Sequence, residues 1–94
     1  MAVATPVRTR SPVRAIELSA LDAMRAIDVG PEAAWKEFIG CALHAGLSIR
    51  TIAEALPCAA STVSRWHAGK AAPPQFSRGP MKELLIHLAE QRLR

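Results

Sequence analysis

The stretch from Arg50 to Lys70, RTIAEALPCAASTVSRWHAGK, breaks off one helical pattern and begins another almost at once. Ile49, Ile52, Ala53 and Leu56 fall at i, i+3, i+4 and i+7, the spacing that lines one face of a helix. Pro57 ends that helix, because its ring removes a backbone donor and biases Leu56 away from helical geometry. Beyond a short turn, Ala59, Val63 and Trp66 make an apolar edge at helical spacing, and Ser61, Ser64, Arg65 and Ala68 make the opposite one. The spacing predicts a supporting helix over 48–56, with Ser48 able to cap it, and a second helix over 60–68. The second helix must therefore bury one edge while its serine- and arginine-bearing edge stays clear.

Working outward, PEAAWKEFIGCALHAG places Trp35, Phe38, Ile39, Ala42 and Leu43 on one face, which predicts a helix over 31–45 stopped by Gly46. Before it, Val13, Ile16, Ala20, Met24 and Ile27 recur at spacings of three and four, so a helix is expected over 12–28, with Pro12 in its first turn. After Lys70, the proline- and glycine-punctuated AGKAAPPQFSRGP reads as a connector with room for one helical turn. Pro80 then opens a helix over 80–93, in which Met81, Leu84, Leu85 and Leu88 face the core. Ile86, Ala89 and Leu93 form a second stripe, expected to be exposed in a monomer and hence to be a dimer interface. Residues 1–11 read as a flexible basic arm and 12–94 as a single domain. No strand-like alternation or repeat is present, and the expected fold is all-α, a compact bundle of about five helices containing a helix-turn-helix.

The 94 residues suffice for one small domain with a modest core. No apolar run approaches the roughly 18–20 residues of a membrane span, and MAVATPVRTRSPVR lacks the apolar centre of a secretory signal, so no membrane partner and a cytoplasmic setting are expected. In such a setting Cys41 and Cys58 stay as thiols. CALH at 41–44, with Cys58 and His67, is only a faint echo of zinc spacing, because the second half lacks a paired short spacing; no metal is expected.

The net charge of +4 is unevenly placed: residues 1–14 carry +3, residues 15–47 carry −3 and residues 48–94 carry +4. That separation suits a polyanion on one face and a protein neighbour on the other. The chain shows no glycine-rich phosphate loop and no nucleophile, base and orienting acid together, so neither a cofactor nor an enzyme is expected.

The central pattern also meets the local demands of a helix-turn-helix, in which one helix holds another so that its outer face can enter a major groove. Ala53 supplies the small residue at the crossing, and Val63 and Trp66 hold the second helix. GLSIRTIAEALPCAASTVSRWHAGKAAP resembles the DNA-binding domains of the phage lambda repressor and Cro type, often called Xre-like regulators. The resemblance spans residues 35–74 and lies in the Gly-Leu-Ser opening, the IAEAL supporting helix, the STVSRW recognition helix and the closing Gly-Lys. Pro57 departs from it, standing where the family usually has a glycine at positive φ, so a differently shaped turn is expected. Residues 12–28 and the long final helix are additions to the family pattern.

The resemblance implies a sequence-specific, double-stranded-DNA-binding transcriptional regulator. Arg65 is the expected base reader, since a guanidinium can donate twice to guanine. Ser61 and Ser64 can bond base edges or phosphates, and Ala60 can touch a thymine methyl; Ser61 is alternatively a helix cap. Ser48, Arg50 and Thr51 are expected on phosphates at the start of the supporting helix, with Thr62 and Lys70 clamping the backbone on either side of the recognition helix. Arg8 and Arg10 can follow a groove. Trp66 is read as core rather than as a base-stacking residue. A homodimer would meet an inverted-repeat operator with half-sites about one turn apart, and bound protein would block or recruit RNA polymerase or another regulator. The alternative is a protein-interaction adaptor or antitoxin-like module in which the helix-turn-helix is scaffold and the acidic residues between 15 and 37 meet the partner.

Overall fold

The computed structural model describes residues 12–93, so the expected arm 1–11 with Arg8 and Arg10 lies outside the described residues. The helices, in chain order, are α1 (Pro12–Ala26), α2 (Glu32–His44), α3 (Ile49–Ala55), α4 (Ala60–His67) and α5 (Gln75–Arg92), with no strand among the described residues. Among those residues no helix is long and apolar enough to cross a membrane.

Each central boundary has a local cause. After α2, Gly46 takes φ 101°, and the amides of Gly46 and Leu47 close on the carbonyls of Leu43 and Ala42 at 3.0 and 3.1 Å. That arrangement uses the last carbonyls of the helix and needs a residue without a Cβ. A side chain at Gly46 would also collide with the guanidinium of Arg92. Ser48 caps α3 as the sequence suggests, its Oγ accepting the Thr51 amide at 3.0 Å. At the far end Leu56 still donates to the Ile52 carbonyl, and Cys58 reaches back to Ala53 at 2.9 Å. The turn through Pro57 thus closes with no non-glycine residue at positive φ among the described residues. α4 ends on Gly69 at φ 77°, with Gly69 and Lys70 donating to the carbonyls of Trp66 and Arg65.

α2 forms the centre, touching α1, α4 and α5. Trp35, Phe38, Ile39 and Ala42 on this helix are fully buried. Trp35 stacks on Phe38 with centroids 5.2 Å apart and meets Trp66 of α4 edge-on at 5.7 Å and 81°. Ala53, the small residue expected at the crossing of α3 and α4, is buried, as are Val63 and Trp66.

The outer helices depart from expectation. On α1, Ala20, Leu21 and Met24 enter the core, but Val13 and Ile16 are 62% and 57% exposed. Polar contacts with α5 set the rotation of this end: Arg14 donates to the Leu93 carbonyl, and Glu17 pairs with Arg92 at 3.3 Å. These place Arg14 and Glu17 towards α5 and turn Val13 and Ile16 outward.

α5 begins at Gln75 instead of residue 80, and Pro80 lies inside it. The proline sacrifices one intrahelical hydrogen bond in the second turn, next to an exposed Phe76. The two apolar stripes also exchange roles. Ile86, Ala89 and Leu93 are 8%, 0% and 5% exposed within one chain, so they are not the free dimer stripe that the spacing suggested. The physical reason is that α5 packs against both α1 and α2 within one chain, which leaves these residues inside the common core. Met81 and Leu88 are half-buried, Leu84 is exposed, and Leu85 alone of that stripe is fully enclosed.

The seam between α1 and α5 is finished by charges. Arg25 meets Glu90 at 2.6 Å and Asp22 at 3.0 Å; the hydrogen bond to Glu90 is the main cause raising the Arg25 pKa above its ordinary value. Lys82 donates to the carbonyls of Arg25 and Ile27 at 3.2 and 2.6 Å, which satisfies the C-terminal end of α1. Arg78 is buried and donates to backbone alone: its Nε to Pro73 at 2.9 Å, and its Nη1 to Val29 at 3.3 Å and to Gly30. One side chain thereby ties the α1–α2 loop to the link before α5.

Glutamate at both Ile86 and Leu93 should unfold the protein, with loss of the helical circular dichroism signal, because both positions face the core. A folded monomer at normal melting temperature would restore them to a surface. Arg78→Met removes the donors to Pro73, Val29 and Gly30 while keeping much of the volume, and should lower stability by about 1.5–3 kcal/mol in urea unfolding. An unchanged midpoint would show that water replaces the guanidinium without cost.

Candidate nucleic-acid interface

α4 has two unlike edges. Val63 and Trp66 point into the core, and Ala60, Ser61, Ser64 and Arg65 are exposed, with Thr62 half-buried between them. Ala59, expected on the apolar edge, is an exposed N-cap residue without a side-chain hydrogen bond, and Ser61 stands within the first turn of α4, not at its cap. The outer edge carries small side chains and one long guanidinium, a profile that admits close approach along the helix.

The expected phosphate-contacting residues of α3 are also exposed, but they have local duties. Ser48 Oγ holds the Thr51 amide and lies 2.9 Å from Thr51 Oγ1. Arg50 lies 3.5 Å from Glu54 one turn along, both side chains largely exposed. Such a pair contributes about 0.3–0.5 kcal/mol, little enough for a phosphate to displace it.

The tertiary structure divides the cations in a way that the charge count does not. Arg14, Arg25, Arg78, Lys82 and Arg92 are held by carboxylates or carbonyls in the seam between α1 and α5 and the loops beside it. The side chains of Lys36, Arg65 and Lys70 make no hydrogen bond or ion pair with another described residue. Arg65 and Lys70 flank the C-terminal end of α4, and Lys36 of α2 reaches the same end: a Cβ placed on Gly69 would stand 3.0 Å from Lys36 Cδ. Sequence reasoning assigned Arg65 and Lys70 and passed over Lys36, since nothing in the spacing of α2 signals that its lysine faces the turn after α4.

Acids are divided likewise. Glu17, Asp22 and Glu90 are consumed in the α1–α5 seam, and Asp28 accepts the Gly30 amide at 2.9 Å. Part of the acidity read as a partner surface is therefore spent inside the chain.

Cys41, His44 and His67 line one groove between α2 and α4, with Lys36, Glu37 and Gly40, but no three His, Cys, Asp or Glu side chains are grouped to hold a metal among the described residues. Burial, and for Cys41 the nearby Glu37 carboxylate as well, pushes both thiol pKa values up. A raised pKa keeps the neutral thiol to higher pH and lowers the reactive thiolate fraction. At pH 8, iodoacetamide should therefore modify Cys41 and Cys58 more slowly in the folded protein than in urea, and equal rates would contradict their burial.

No family model, curated protein or solved structure matches the chain, so what this surface contacts has to follow from its own geometry and charge.

Proposed function

We propose that the chain is a sequence-specific, duplex-DNA-binding transcriptional regulator of the lambda repressor and Cro-like helix-turn-helix kind. In this reading α3 is the supporting helix and α4 enters the major groove. The observation that carries it is the division of α4: Val63 and Trp66 are buried, while Ala60, Ser61, Ser64 and Arg65 are exposed and lie beside cations whose side chains make no hydrogen bond or ion pair with another described residue. A helix held so firmly on one side, with a small and polar free side, suits insertion into a groove.

Arg65 reads a base, Ser61 and Ser64 bond base edges or phosphates, and Ala60 meets a thymine methyl. Ser48, Arg50 and Thr51 contact phosphates on one side of the groove, and Thr62 and Lys70 contact them by the recognition helix. The protein acts in the cytoplasm by occupying an operator, without an enzymatic step or a cofactor, as a repressor or by recruiting polymerase. A homodimer on an inverted repeat remains part of the reading, its contact moved to α1, where Val13 and Ile16 are exposed. Those same side chains are the observation that favours the second reading, a protein-interaction adaptor or antitoxin-like module.

Selection of bound fragments from sheared genomic DNA, followed by sequencing, should return a recurrent site. Arg65→Ala should keep the fold and lose about 1–3 kcal/mol of discrimination at one base pair. Recovery of no preferred sequence by the parent chain would favour the adaptor. Affinity for the site should also fall steeply with salt, by a slope of about −0.9 for each phosphate neutralised, and a flat salt dependence would remove the phosphate contacts.

A further inference from the structure

We propose that Lys36 of α2 and Lys70 form a phosphate clamp across the turn that follows α4, gripping one backbone segment of the duplex whose groove α4 enters. The inference rests on the DNA-binding reading and adds to it a contact from a helix outside the α3–α4 pair.

Three observations support the clamp. Lys36 and Lys70 are exposed, and neither side chain has a hydrogen bond or ion pair with another described residue, whereas the cations of α1 and α5 are held in place by acceptors. Lys36 is also positioned: its Cδ lies 3.0 Å, and its Cε and Nζ 3.7 Å, from where a Cβ on Gly69 would stand. The aliphatic stem thus lies against the glycine turn, and the ammonium is carried to the residue preceding Lys70. Finally, the cleft there, about 300 Å³, is lined by Glu32, Ala33, Lys36, Ala68, Gly69 and Ala71, with small side chains around the turn that let a bulky strand approach.

Glu32 is the opposing feature. It sits one turn before Lys36, lines the same cleft and makes no ion pair with it. A carboxylate at this place weakens capture of a free anion. It weakens much less the hold on a polyanion whose position is already set by Arg65, Ser48 and Arg50, because the local repulsion is then one part of a larger contact. The clamp therefore selects a phosphate within a docked duplex over free phosphate. With the contacts near Ser48 it would fix α4 from both ends of the α3–α4 unit.

The test uses the full chain, its selected site and an unrelated duplex of equal length, with binding followed across salt concentration. Lys36→Gln should leave the melting temperature unchanged, lower affinity for both duplexes by the same factor, and reduce the magnitude of the salt slope by about 0.9. Lys70→Gln should do the same, and the double variant should lose about twice that slope. Arg65→Ala, as the specificity control, should alter the ratio between duplexes instead. If the parent binds its site with Arg65-dependent preference but Lys36→Gln keeps both affinity and slope, the clamp is wrong and the DNA-binding reading stands. If Lys36→Gln changes the ratio between duplexes, Lys36 reads sequence and the clamp is likewise wrong. A parent chain that binds no duplex at low salt would overturn both.

Discussion

The edge-on contact between Trp66 and Trp35 is the interaction on which the rest of the arrangement depends. α4 is a short helix, and a helix of that length has little stability of its own. It holds its place because Trp66 and Val63 are sunk against α2, where Trp35 is fully buried and stacked on Phe38. An aromatic pair in this geometry adds about 0.5–1.5 kcal/mol beyond the area it buries. The indole Nε1 of Trp35 has no hydrogen-bond acceptor among the described residues. With its inner edge occupied in this way, α4 has only its outer edge left to offer.

Charge placement follows from a second constraint, the packing of α1 on α5. Two apolar stripes on α5 need two neighbours, and α1 and α2 both pack against this helix, with Ile86, Ala89 and Leu93 buried in the common core. The margins of the contact with α1 are polar, and it is there that Arg14, Glu17, Arg25, Glu90 and Arg92 meet their partners. Arg78 extends the same logic inward, a cation used wholly as a fork of backbone donors. Each such pairing withdraws a charge from the surface. Among the described residues, the lysine and arginine side chains left without a hydrogen bond or ion pair, Lys36, Arg65 and Lys70, lie around the end of α4.

The link between α3 and α4 shows how the chain manages without a glycine at its tightest point. Pro57 cannot adopt positive φ, but it also brings no amide that would need an acceptor. Leu56 and Cys58 on either side of it return their amides to Ile52 and Ala53, so the turn is closed by the helix it leaves. The free α3 carbonyls are thus used locally, and α4 can start directly from Ala59.

The central part of this fold was legible in the sequence because its signals are local. Ser48 as a cap, Gly46 as a helix stop, Pro57 as a break, and the spacing of Val63 and Trp66 all act within a turn or two of the chain. So the two edges of α4, and with them Ala60, Ser61, Ser64 and Arg65 as a free surface, could be assigned before any tertiary contact was known. What the sequence could not determine depends on which helix lies against which. Periodicity says that Val13, Ile16, Ile86 and Leu93 are apolar residues on helix faces, but not that Arg14 and Glu17 rotate α1 so that the first two face outward and the last two are covered. It assigns no role to either Arg78 or Lys36. Docking of α5 against the α1–α2 loop buries the one among backbone carbonyls, and the packing of α2 beside α4 brings the other over Gly69, because burial and proximity between distant residues are properties of the assembled bundle, not of any single helix.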